Sequence, residues 1–129
     1  MPDDNGFNNL DQSDIDRLAK EHGFRKRGAR TWWRRTEDFV QVVNLQKSQW
    51  SKEISYLNFA LWPLELGEPP TLAESKFHFR TRAEVMQVRS LESFFEQVGK
   101  LTTIAELAAA LDAKRISGLV SKELRPLLQ

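Results

Sequence analysis

The chain has 129 residues, 40% hydrophobic and 29% charged, a length and balance that suit a globular fold burying roughly two-thirds of its unfolded surface. The formal net charge is only +1, which excludes a molecule held to nucleic acid or anionic lipid by bulk charge. There is no cysteine, so disulfides, thiolate zinc sites, iron–sulfur clusters and a cysteine nucleophile are excluded, and a reducing, cytoplasmic setting is expected.

Residues 1–9 read as a flexible leader and residues 10–129 as a single domain. The acidic start, Met1-Pro2-Asp3-Asp4, is the opposite of a signal peptide's basic and then apolar form. The longest apolar run, around residues 57–64, is broken by Asn58 and Pro63. That is far short of the roughly 20 residues of a spanning helix, so no membrane partner is expected. A helix is expected over 11–22, where Ile15, Leu18, Ala19 and His22 recur on one face. Asp11 or Ser13 can cap its start and Gly23 can stop it, with Phe24 packing back on the last turn.

Aromatic and β-branched residues then predict strands over 30–35 and 39–46, joined by a tight turn at Thr36-Glu37-Asp38. A third strand is expected over 54–62 after a polar loop at 49–53, and a fourth over 75–82, with 84–88 extending or following it. Pro63, Gly67, Pro69 and Pro70 mark the longer loop between these two. Leu91, Phe94, Phe95 and Val98 return to helical spacing, with Ser90 as cap and Gly99 as stop. Thr103-Ile104-Ala105-Glu106 has the form of a capping box and opens a helix to about Arg115. Residues 117–125 read as a last helix ended by Pro126. The expected fold is α+β: an antiparallel sheet of four to five strands, an N-terminal helix and two to three C-terminal helices.

Alternation along the strands sorts side chains onto two faces. Phe39, Val43, Leu45, Leu57, Phe59, Leu61, Phe77 and Phe79 share one, which helices must cover. The other collects Val40, Val42, Asn44, Gln46, Ile54, Tyr56, Asn58, Ala60, Trp62, His78, Arg80 and Arg82. On this mixed face Asn44, Gln46, Tyr56, Asn58, Arg80 and Arg82 form a candidate binding site. Amides both donate and accept, a guanidinium fork suits carboxylate or phosphate, and aromatic walls exclude water. The alternative is a second helix lying on Val40, Val42, Ile54 and Trp62 while the arginines reach out at its edge.

Charge is uneven along the chain. Residues 1–23 carry a net −4 and residues 24–35 a net +6. The basic patch Arg25, Lys26, Arg27, Arg30 and Arg34, with Trp32 and Trp33, allows nucleic-acid binding as an alternative function. Alternation, however, sends the two tryptophans to opposite faces, and an acidic first helix beside this segment would neutralise it. No metal-ligand spacing, phosphate loop, nucleophile elbow or paired-carboxylate motif is present. No catalytic residue, metal or cofactor is therefore expected, and the chain reads as a non-enzyme. A protein partner is favoured over nucleic acid, with a small-ligand or enzymatic pocket on the same face as a further alternative. Partner identity and oligomeric state are left open.

Gly23-Phe24-Arg25-Lys26-Arg27-Gly28, Thr31-Trp32-Trp33-Arg34 and the run from Val40 through Gln46-Lys47-Ser48 resemble the bacterial domain-of-unknown-function 4304 family. So do Asn58 in the next strand and Arg80-Thr81-Arg82. The resemblance covers most of residues 15–82 and implies an α+β fold without an assigned activity. This chain differs in having Asn58-Phe59-Ala60 where the family has Asn-Leu-Gly, and in lacking a cysteine near the start of the fourth strand.

Overall fold

Asp11 stands in extended backbone and its carboxylate accepts the Ser13 N–H, so it, not Ser13, caps the first helix. The computed structural model describes residues 10–48, 50, 55–86 and 88–129. The expected leader, Ile54 and most of the loop at 49–53 lie outside them. Helix α1 runs Gln12–Glu21. Gly23 follows with a left-handed φ of +84°. The Phe24 N–H then returns to the Ala19 carbonyl at 2.8 Å, setting the Phe24 ring edge-on to Phe95.

The chain next builds a meander in which each strand pairs with the one before it. Its strands are β1 (Arg25–Arg27), β2 (Thr31–Arg35), β3 (Phe39–Lys47), β4 (Ser55–Pro63), β5 (Phe79–Arg82) and β6 (Leu119–Val120). All pairs are antiparallel, as short connections favour. Helices α2 (Leu91–Gly99) and α3 (Ile104–Asp112) lie between β5 and β6. The fold is therefore α+β with one antiparallel sheet of six strands, more than the four to five expected. Both additional strands are short edges, and neither is long enough to show alternation.

Other expectations need correction as well. Residues 117–125 form no helix: Leu119 and Val120 pair with Arg80 and Phe79, and a short 3₁₀ turn follows at Arg125–Leu128 with Pro126 near its start. The strand expected over 75–82 begins only at Phe79, after a 3₁₀ turn at Glu74–Lys76, and another such turn occupies Ala83–Val85. Because this turn and bend break the alternation, Phe77 leaves the core face and packs with Val40, Val42 and Ala60. Gly99 is the last residue of α2 without a left-handed backbone, and α3 ends at Asp112, where Lys114 takes φ +60°.

The rest of the apolar face is as alternation places it. Phe39, Val43, Leu45, Leu57, Phe59, Leu61 and Phe79 are buried beneath Ile15 and Leu18 of α1, Phe94, Phe95 and Val98 of α2, and Leu107 of α3. Each such side chain contributes about 1.5–3 kcal/mol by leaving water. Two capping boxes, Ser90 with Ser93 and Thr103 with Glu106, start α2 and α3. The β2–β3 turn adds to the second, since the Ile104 N–H donates to the Asp38 carboxylate at 2.7 Å. Among the described residues no helix is long and apolar enough to cross a membrane.

Candidate functional site

The opposite face begins with a cross-strand row. Arg27, Thr31, Asn44, Asn58 and Arg82 stand opposite one another on five successive strands. Directly opposed residues in an antiparallel pair project to the same side. Asn44, Asn58 and Arg82 thus emerge together, and Arg80, two residues from Arg82, shares their side.

Hydrogen bonds run along the row. Asn44 Nδ2 donates to Thr31 Oγ1 at 3.1 Å. Asn58 Nδ2 donates to Asn44 Oδ1 at 3.3 Å and to Gln46 Oε1 at 3.0 Å. Arg82 Nε donates to Asn58 Oδ1 at 3.2 Å. Asn58, only 3% exposed, is the hub, and its amide orientation is set by two acceptors on one side and a cation on the other. The Arg82 guanidinium also lies 4.3 Å from the Tyr56 ring centroid, a cation–π contact worth about 1 kcal/mol. Nε is thus occupied, and the two terminal nitrogens of Arg82 are left over. Among the described residues they make no hydrogen bond, and neither does the Arg80 guanidinium.

The apolar end of this face is covered, but by a loop. Val40, Val42, Ala60 and Phe77 are buried with Trp33, Trp62, Leu64 and Leu72 against them. Trp62 Nε1 donates to the Gly67 carbonyl at 2.9 Å, pinning the loop. The covering helix of the alternative reading is thus replaced, among the described residues, by the segment after β4. The amide and guanidinium end remains a cleft of about 350 Å³.

Gln46, Asn58, Arg80 and Arg82 line that cleft. Asn44 turns toward β2 and holds the row, and Tyr56 supports Arg82 from beneath. Four lining residues carry no sequence signal: Glu74 and Val85 from 3₁₀ turns, and Gly118 and Leu119 from the β6 edge. Leu119 was legible only as part of a helix, which would have turned it elsewhere. Hollows of about 490 Å³ beside Arg27 and about 500 Å³ beside His22 are larger. Neither brings two free guanidinium groups onto an amide pair, so the smaller cleft is the better candidate.

The basic segment is divided. Arg25 lies over Trp33 at 5.9 Å on one face. Lys26 lies on the other, 3.1 Å from the Asp16 carboxylate of α1, which also accepts the Trp32 indole N–H at 2.8 Å. The acidic first helix therefore does meet the basic segment. Trp32 is core. Arg34 donates through Nε to Gln41 Oε1 at 2.6 Å and through Nη1 to the His22 carbonyl at 3.0 Å, and burial lowers its pKa. Arg27 and Arg30 are exposed at the β1–β2 turn. Arg35 pairs bidentately with Glu68, which raises the arginine's pKa and lowers the carboxylate's.

The histidines lie apart. His22 stacks on Phe95, and His78 Nδ1 meets Ser121 Oγ at 2.7 Å beside the Trp62 ring. Among the described residues no three His, Asp or Glu side chains are grouped to hold a metal ion.

A family model described as Domain of unknown function (DUF4304) matches residues 15–128, extending well past the motifs, the last of which ends at Arg82. No curated protein matches the chain, and no solved structure does.

Proposed function

The chain belongs to the domain of unknown function 4304 family, and we propose that it is a non-enzymatic binding module whose open sheet face takes an anionic group of a partner protein. The observation that carries this reading is the held but unspent cation. Arg82 is held by Asn58 through its Nε and lies over the Tyr56 ring, and it lines the same cleft as Arg80. A guanidinium oriented in advance loses less entropy on meeting a carboxylate or phosphate. Amides and guanidinium groups hold and orient a ligand but do not exchange protons near neutral pH, which supports binding rather than catalysis.

Nucleic-acid binding through residues 24–35 has weaker support. Three of its cations, Lys26, Arg34 and Arg35, are already engaged by other groups of the protein, and one of its tryptophans is core. The test is affinity capture with wild-type protein and with R80A/R82A, each checked for the same melting temperature. The variant is expected to lose the partner that the wild type retains. Equal capture by both would reject this face as the docking site of a partner protein.

A further inference from the structure

Two of the four large hydrophobic side chains exposed among the described residues, Val85 at 47% and Leu119 at 63%, line the same cleft as Arg80 and Arg82. Singly scattered apolar side chains are ordinary on a protein surface. These two converge. Leu119 stands directly opposite Arg80 in the β5–β6 register, so an aliphatic and a cationic group rise side by side from adjacent strands.

Glu74 lines the cleft as well, and among the described residues it forms no ion pair with either arginine. The cleft therefore presents a pair of cations, one anion and an aliphatic wall, with no direct ion pair between the charges. At about 350 Å³ it is at the small end of ligand sites, sized for one residue-like molecule.

We propose that the cleft recognises the carboxylate of an aliphatic α-amino acid. Arg80 and Arg82 take the carboxylate, Val85 and Leu119 take the branched side chain, and Glu74 takes the neighbouring N–H group. This deepens the binding reading above and rests on it. The same chemistry is offered by a free amino acid and by the C-terminal residue of a peptide.

The test is titration of the ¹⁵N-labelled protein, followed by amide shifts, with L-leucine, N-acetyl-L-leucine, L-leucinamide and glycine. Leucine or its N-acetyl form is expected to shift the amides of Arg80, Thr81, Arg82, Gly118 and Leu119. Leucinamide, without a carboxylate, and glycine, without a side chain, are expected to bind at least about tenfold more weakly. Leucine ahead of N-acetyl-leucine assigns a free amino acid, and the reverse order a peptide terminus; either supports the proposal.

R82Q, confirmed folded by its own spectrum, is expected to lose the response. Equal binding of leucinamide, shifts confined to another surface, or no shifts at millimolar concentrations of all four would overturn it. Loss of partner capture by R80A/R82A without any leucine response would overturn this inference and leave the binding reading standing. A leucine response with unchanged capture would support the inference and remove the protein partner.

Discussion

Gln41 is fully buried on the helix-covered face, and its amide is engaged at both ends. Its Nε2 donates to the carbonyls of Val98 at 3.1 Å and Leu101 at 2.8 Å, at the end of α2. Its Oε1 accepts from Arg34, whose Nη1 holds the end of α1 through His22. One amide thus ties two helix ends to the sheet, and the cation lies where helix carbonyls leave negative potential. Gln41→Ala is expected to cost about 3 kcal/mol in urea unfolding, since each buried group left unpaired costs about 1–3 kcal/mol. Gln41→Glu, similar in shape, should also destabilise, because it turns an acceptor toward two carbonyls.

Glu106 adds a pH dependence at the same scale. The Thr102 hydroxyl, followed by the N–H groups of Thr102 and Thr103 and the Thr103 hydroxyl, holds its carboxyl below the usual value. The unfolded chain then binds the proton more readily, so the contribution is complete above the ordinary carboxylate range. It is lost as pH falls through the lowered value. Glu106→Gln should therefore narrow the difference in melting temperature between about pH 5 and pH 2.5 relative to wild type.

At the scale of elements, β6 depends on one residue. A Cβ on Gly118 would lie 2.4 Å from the Arg80 carbonyl oxygen and 3.0 Å from the Phe79 ring. Only a glycine lets the chain approach β5 this closely, and backbone cannot yield as a flexible side chain does. Gly118→Ala is expected to cost about 1–3 kcal/mol and to weaken amide protection across Phe79–Arg82. Unchanged hydrogen exchange there would refute this account of the edge.

Legibility also differed by element. The first three helices were readable in position because each has an amphipathic face and a capping residue. The capping box at Thr103 and Glu106 formed as its spacing implied. The 3₁₀ turns at Glu74–Lys76 and Ala83–Val85 carry no period, so the displacement of Phe77 was invisible. The β1 segment, Arg25–Arg27, is charged and exposed throughout. What makes it a strand is the Gly28 turn at φ +69° and the neighbouring β2.

For the whole molecule, one cluster joins α1, α2, α3 and β2 to β5. Residues 10–129 are therefore expected to unfold in a single transition, with tryptophan fluorescence and far-ultraviolet circular dichroism giving the same urea midpoint. Two separated midpoints would show that the C-terminal helices form their own unit.

What the sequence determined by itself was local and periodic: the class of fold, the helix starts, the core face and the common side of Asn44, Asn58, Arg80 and Arg82. Within a regular strand, alternation decides each side chain's face once the register is set. Tertiary structure decided what closes over the mixed face, and how Glu74, Val85 and Leu119 come to meet the arginines. Those residues are brought together by irregular turns and a two-residue edge strand. Their conformations are set by the surfaces they land on, not by a pattern of their own.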